Sequence, residues 1–212
     1  MYVPKHFREE TWIEIRKVIE EHSFATIISS DAGVPVATHA PLQLVEAAAG
    51  KFVLQGHLAR ANPQWRLFES GQKVLVIFAG PHSYVSPRWY EQVNVPTWNY
   101  IAVHVYGKVR LVTDSGELRG LMKGLVDRYE GHIELSRRYT VEGLPPEYLE
   151  SQMRGIVGFE ISVDEAQASF KLSQNRTQRD FDNVIAELSK SEDPQAQNVA
   201  EAMLCRRHRE KP

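Results

Sequence analysis

Residues that suit an anion stand close together in one polar segment. Arg60 follows an apolar, strand-like stretch, and Asn62-Pro63 begins two residues later. A guanidinium offers paired donors to a phosphate, and Asn62 and Pro63 predict the first turn of a helix, whose N-terminus also attracts anions. Thr38 can add a neutral hydrogen bond. On the residues alone, an exposed strand-end charge is the favoured interpretation of Arg60, and phosphate binding is the alternative.

Histidine, the commonest metal ligand in proteins, occurs at four positions in or near such polar segments: His39, His57, His82 and His104. Their spacing fits no recognised zinc pattern. Hydrogen-bonded structural histidines are the favoured interpretation, and no metal is predicted. A position beside a cofactor stays open for His57 and His104.

Other kinds of site lack their sequence signatures. No G-x-S-x-G elbow occurs, which leaves a Ser-His-Asp hydrolase without support. The sequence also has no P-loop and no G-x-G-x-x-G fingerprint. A nicotinamide dinucleotide fold is therefore not expected.

The composition is that of an ordinary folded protein. The chain has 212 residues, of which 42% are hydrophobic and 25% charged, so it can bury a normal core. The net charge of -2 argues against a broadly basic nucleic-acid binder. Cys205 is the single cysteine, so no disulfide forms within the chain. With a charged opening and no stretch of roughly 18 apolar residues, the sequence predicts a soluble cytoplasmic protein.

The elements that would position these residues can be predicted from hydrophobic periodicity and turn residues. A helix is expected at residues 8–21, and Asp31-Ala32-Gly33 predicts a hairpin turn. In the first half of the chain, strands are expected at residues 23–30, 34–44, 51–57 and 73–79.

The second half continues the same pattern of strands and helices. Residues 97–112 alternate over a long span, which predicts one long strand or two shorter ones. A helix is expected at 114–129, Pro145-Pro146 is expected to break regular structure, strands are expected at 156–163 and 168–172, and a helical region begins at 183–188. The prediction is an α+β fold around a closed sheet, with one domain at 1–190 and a helical, partly polar tail at 191–212.

Several segments, taken in order, carry a resemblance to a known family. They are PVATHAPL (35–42), GHLARANPQW (56–65), VPTWNY (95–100) with AVHVYG (102–107), and KLSQNR (171–176). With the opening MYVPKHF and the run GPHSYVSPRWY (80–90), they resemble the PaiB-type FMN-binding negative transcriptional regulators. The resemblance covers nearly the whole chain up to its C-terminal region. It implies a split-barrel fold with flanking helices, an FMN site between the subunits of a homodimer, and repression of transcription.

For an FMN phosphate, the candidate ligands are Arg60, Asn62 and Thr38, with His57 near the cofactor. Lys171 or Arg176, from the partner subunit, could complete the positive charge. An alternative for Arg176 is a local ion pair with Asp180.

The isoalloxazine ring needs a flat apolar wall and a few polar contacts. Trp98 and Tyr100 offer surface, and Asn99 offers hydrogen bonds. A core or dimer-interface role for Trp98 is the alternative. No general acid or base stands out, so an FMN-dependent oxidoreductase, or a haem-handling split barrel, with an indirect regulatory effect stays the alternative to a regulator without turnover.

DNA binding has weak support from the residues. The nearest candidate for a helix-turn-helix is the helix at 114–129 with the stretch after it. Its basic residues are Arg119, Lys123, Arg128, Arg137 and Arg138, which neighbouring acidic residues offset. The tail could touch phosphates non-specifically through Arg206, Arg207, His208, Arg209 and Lys211, although a solvated helix end explains it as well.

Overall fold

The computed structural model describes residues 1–134 and 137–210, with side chains described as far as Arg207. Over these ranges the chain has five α-helices: α1 (Trp12–Glu21), α2 (Ser115–Glu130), α3 (Pro146–Arg154), α4 (Gln178–Ser189) and α5 (Pro194–Glu210). The strands of the same ranges are β1 (Arg8–Glu9), β2 (Phe24–Asp31), β3 (Val34–Pro41), β4 (Gln43–Glu46), β5 (Phe52–Ala59), β6 (Lys73–Val85), β7 (Thr97–Val112), β8 (Ile156–Ser162) and β9 (Glu165–Lys171). A 3₁₀ helix, Pro63–Ser70, connects β5 to β6.

The strands are hydrogen-bonded in the order β3-β2-β6-β7-β8-β5-β4, with β9 beside β7 and β1 beside β9. The chain divides into two compact units. The central unit comprises Ser23–Ile77 and Val105–Glu165, and the terminal unit comprises Met1–His22, Phe78–His104 and Ala166–Pro212. The long strands β6 and β7 contribute residues to both units.

The central unit is built on antiparallel pairs. The β2–β3 hairpin turns at Ala32 and Gly33, whose positive φ angles of 47° and 88° are those of a type I′ turn. The inner face of β8 packs against the 3₁₀ helix, where the rings of Phe68 and Phe159 lie 5.4 Å apart. A Cβ at Gly56 would lie 2.5 Å from Leu42 Cδ2, so a larger residue here would displace the buried Leu42 side chain.

The terminal unit combines helices with the remaining strand segments. Register pairs Arg8 with Ser169 and Glu9 with Ala168 in the β1–β9 ladder. Each helix of this unit buries one apolar side, and the residues with the least exposure include Ile19 of α1, Leu188 of α4 and Met203 of α5. This is the amphipathic pattern of helices that cover a core.

Most predicted elements are confirmed within a few residues. The helix predicted at 8–21 begins only at Trp12, because Arg8 and Glu9 are paired with β9 instead. Residues 97–112 form one strand. The expected break at Pro145-Pro146 was wrong: Pro146 starts α3, since a proline in the first turn gives up no needed hydrogen bond.

The C-terminal region is more helical than the sequence indicated. The helix expected from 183 begins at Gln178, directly after its N-cap Thr177, and α5 begins at Pro194. The boundary at 190 lies between these two helices, and the division into 1–190 and 191–212 stays a prediction. In α5, Ala196, Val199, Ala200 and Met203 are buried.

No helix in the described part of the chain is long and apolar enough to cross a membrane.

Candidate functional site

Thr38 and Asn62 meet in the central unit, where β3 approaches the start of the 3₁₀ helix. Asn62 Oδ1 accepts from the backbone N–H of Gln64 at 3.0 Å, so Asn62 is the predicted N-cap, with Pro63 after it. The other half of the amide, Nδ2, donates to Thr38 Oγ1 at 2.9 Å. Both side chains are half-buried. A hydroxyl and an amide are therefore held together at a helix N-terminus, where an anion is favoured.

Arg60 is exposed and is held by the chain on one side of its guanidinium. Nε donates to the carbonyl of Arg154 and Nη2 to the carbonyl of Ile156, both at 2.8 Å. The backbone N–H of Arg60 donates to the carbonyl of Gly155, also at 2.8 Å. Arg60 thus satisfies carbonyls at the end of α3, which the sequence could not indicate. A guanidinium has five N–H groups, so Nη1 keeps donors for a ligand among the described contacts.

His57 lies on β5 directly opposite Gly158 of β8, which in turn lies opposite Val112 of β7. Directly opposed residues share a sheet face. A Cβ on Gly158 would lie 2.5 Å from Leu118 Cδ1, so α2 covers this face. Burial lowers the pKa of His57, and its Nδ1 is buried without a hydrogen-bond partner among the described residues. The imidazole is therefore neutral near pH 7, and its place beside a cofactor stays a prediction.

The other predicted site residues lie in the terminal unit. Asn99 has no exposed surface. Its Nδ2 donates to Ser173 Oγ at 2.9 Å and contacts Met203 Sδ at 3.5 Å, and its Oδ1 accepts from Ser173 Oγ at 3.2 Å. The amide is thus occupied within the chain, and this geometry does not favour the predicted contact with a flavin ring, which stays untested.

Lys171 and Arg176 form a cationic pair in the terminal unit. The Lys171 ammonium donates to Thr97 Oγ1 and lies 5.9 Å from the ring centroid of Phe7. Burial, and secondly the charge of Arg176, lower the pKa of Lys171. Arg176 stacks its guanidinium 4.7 Å from the ring centroid of Tyr90 rather than pairing with Asp180. In the described part of the chain neither cation has a carboxylate partner, which suits an anionic ligand.

Trp98 belongs to an exposed cluster, here called the aromatic face, which consists of His82, Tyr84 and Trp98. The Trp98 ring lies 6.3 Å from His82 and 6.2 Å from Tyr84, the latter edge-on. Trp98 is 52% exposed, so the alternative that it is a core residue is wrong. Exposed and buried residues alternate along β6 and β7, which places these three rings on the same exposed side. The alternation is visible in the sequence, but the sequence does not show that His82 and Tyr84 lie beside Trp98.

The predicted site residues are divided between the two units. In the central unit, Thr38 of β3 contacts Asn62 at the start of the 3₁₀ helix, Arg60 follows β5 and contacts the end of α3, and His57 lies on the α2-covered face of β5. Trp98, Asn99, Lys171 and Arg176 lie in the terminal unit. Among the described residues, no three histidine, cysteine or acidic side chains gather as metal ligands would.

Comparison with known proteins identifies the family. The family model of an FMN-binding domain matches residues 1–165. The protease synthase and sporulation protein PAI 2 of Bacillus subtilis is 43% identical over 203 residues, which are 96% of each chain.

Solved structures share the fold. The FAD and heme binding protein from Mycobacterium smegmatis superposes with a TM-score of 0.60 at 16% identity, covering 77% of this chain and 73% of that one. The flavocytochrome Anf3 from Azotobacter vinelandii also gives 0.60, at 14% identity, over 85% and 78% of the two chains. The predicted α+β split-barrel fold is confirmed.

A flavin-binding split barrel is therefore the class of protein that the fold defines. The chain belongs to the FMN-binding domain family and is a PaiB-type protein, whose cofactor is a flavin. The residues present fit FMN, because the hydroxyl of Thr38, the amide of Asn62 and the guanidinium of Arg60 are the donor types that a dianionic phosphate needs.

Proposed function

We propose that this chain is an FMN-binding negative transcriptional regulator of the PaiB type that acts as a homodimer. The 43% identity to PAI 2 over 96% of both chains supports this proposal most strongly. That relative's name connects it with protease synthesis and sporulation. A flavin-binding protein in such a role would act by changing its affinity for a partner when flavin binds.

The phosphate of FMN is assigned to the central unit. Thr38 Oγ1 and Asn62 Nδ2, already 2.9 Å apart, and the free edge of the Arg60 guanidinium would donate to it. His57 is kept as a neighbouring candidate. The ring is assigned to Trp98, and the remaining positive charge to Lys171 or Arg176 of the partner subunit, at the intersubunit site that the family resemblance implies. Asn99, whose amide is hydrogen-bonded to Ser173, is kept as a candidate only.

The aromatic face supports a homodimer. Tyr84 and Trp98 are 44% and 52% exposed although they contact each other. Aromatic side chains are enriched where proteins associate, because they bury a large area and keep a polar tip for hydrogen bonding. A second copy of this chain is the occupant proposed for this face.

Direct contact with DNA is carried by the family resemblance. After α2 the next helix begins at Pro146, which is too far along the chain for the short turn of a helix-turn-helix. In the tail, Arg206 pairs with Glu9 and Arg207 with Asp182. The side chains of His208, Arg209 and Lys211 lie outside the described residues.

Titration of the purified protein with FMN tests the cofactor part of this proposal. Ligand linkage should stabilise the folded protein by about 2.7 kcal/mol at a hundredfold excess over Kd, visible as a rise in melting temperature. A protein that saturating FMN does not stabilise would refute it.

Two further measurements separate regulator from enzyme. A footprint on specific DNA that survives physiological salt supports the repressor. Catalytic bleaching and reoxidation of the flavin with a nicotinamide reductant would instead favour the oxidoreductase.

A further inference from the structure

Gln64 is a polar residue in the core of the central unit, on the first turn of the Pro63–Ser70 helix. Its side chain is 1% exposed. Nε2 lies 3.0 Å from the carbonyl of Ile27, 3.1 Å from Ser29 Oγ and 3.2 Å from the carbonyl of Val36. One amide group therefore contacts three acceptors on two strands, β2 and β3.

The same residue is also fixed through its backbone. Its N–H is the donor that Asn62 Oδ1 accepts at 3.0 Å, which leaves Asn62 Nδ2 directed at Thr38 Oγ1. Thr38 lies two residues after Val36 on β3, and so on the same side of the strand. The contacts of Gln64 thus fix both ends of the Thr38–Asn62 hydrogen bond, one through β3 and the other through the start of the helix.

Packing alone does not explain an amide at this position. Oε1 of Gln64 is buried without a hydrogen-bond partner in the described ranges, and an unsatisfied buried acceptor is costly. A methionine would fill the same volume without that cost. The amide N–H groups therefore have a role that methionine could not fill, which is to hold β2 and β3 against the start of the helix.

We propose that Gln64 is the positioning residue that gives this protein its preference for the phosphorylated flavin over riboflavin. Gln64 does not touch the flavin. It holds the Thr38 hydroxyl and the Asn62 amide at the spacing at which both donate to one phosphate. This inference rests on the proposed phosphate site.

The test compares the affinities of FMN and riboflavin, which differ only in the phosphate. Gln64→Met keeps the volume and removes the donors. We expect the ratio of riboflavin Kd to FMN Kd to fall roughly tenfold, the usual consequence of losing one well-placed hydrogen bond to a charged group. The riboflavin Kd should stay nearly unchanged. Ser29→Ala, which removes one of the three acceptors of Gln64, should lower the ratio less.

Phe68→Leu is the matched control, because Phe68 lies on the same helix, is equally buried and packs on Phe159 without a polar contact. It should lower the melting temperature and leave the ratio intact. An unchanged ratio in Gln64→Met, or an equal fall in Phe68→Leu, would overturn the inference.

The two proposals fail differently. A wild-type protein that binds riboflavin as tightly as FMN would refute the phosphate site itself. A wild-type preference that both Gln64→Met and Ser29→Ala retain would refute only the role of Gln64. If Gln64→Met does not fold, the ratio measured in Ser29→Ala tests the inference instead, because that variant removes only the hydroxyl that Gln64 contacts.

Discussion

Arg60 anchors two elements of the central unit and is the side chain proposed to bind the phosphate. Two of its N–H groups hold carbonyls at the end of α3 and the start of β8, and the edge that carries Nη1 remains for a phosphate. Arg60→Ala should weaken FMN binding by roughly tenfold or more, because hydrogen bonds to charged groups are the stronger ones. Fluorescence titration of the flavin measures this.

Arg154→Ala provides the matched control for charge. Its side chain is 72% exposed beside Glu150, while its backbone carbonyl, which Arg60 uses, is retained. FMN affinity should stay within twofold of the wild type in this variant, about 0.4 kcal/mol. Equal affinities for wild type and Arg60→Ala would remove Arg60 from the site.

The lowered pKa of His57 should make the stability of the protein depend on pH. Burial lowers its folded pKa below the ordinary value of about 6.5, so below that pH the unfolded chain binds the proton first. The free energy of unfolding should therefore fall as the pH drops through about 6.5 and level off below the folded pKa. His22 and His104, whose pKa values burial also lowers, act in the same direction.

Urea denaturation at about pH 7.5 and about pH 5.5 measures this loss. His57→Gln cannot titrate, so its loss between the two pH values should be smaller than that of the wild type. Identical losses in the two proteins would show that His57 does not contribute.

At the scale of elements, replacing a glycine by alanine should have opposite effects on stability in β7 and in α2. A Cβ on Gly107 would lie 1.6 Å from the carbonyl oxygen of Ser162. Gly107→Ala should therefore separate β7 from the end of β8 and cost about 3 kcal/mol or more. Chemical denaturation of the two proteins gives the difference.

Gly120 of α2 is the counterpart, since no described atom outside its own helix lies within 4 Å of an added Cβ. Gly120→Ala should stabilise the protein by about 0.5–1 kcal/mol, because alanine loses less backbone entropy in a helix. Similar effects from both substitutions would contradict the close approach at Gly107.

At the scale of the whole molecule, the aromatic face predicts association. The wild type should scatter light as a dimer at micromolar concentration, and Trp98→Ser should shift it toward the monomer by removing the largest exposed ring of the face. Tyr148→Ser is matched in exposure, at 52%, but changes a residue of α3 in the central unit that is not one of the rings of this face. It should leave the mass unchanged. A monomeric wild type, or equal effects of the two variants, would refute this interface.

Local signals in the sequence determined most of the elements. The Ala32-Gly33 turn, the Asn62 cap, the alternation of β7 and the helix at α2 all depend on neighbours within a few residues, and each lies where it was predicted. Residue types also made Arg60, Asn62 and Thr38 candidate phosphate ligands, because they carry suitable donors whatever their surroundings, and that assignment stays a prediction.

Only the tertiary structure decided which of these side chains are available. Burial of Asn99 with Ser173, the anchoring of Arg60 by α3 and β8, and the three contacts of Gln64 join residues 28 to 96 positions apart in the chain. Periodicity reports which face of its own element a residue occupies. It contains no information on which distant backbone carbonyl will lie opposite, and that is set by strand register and packing.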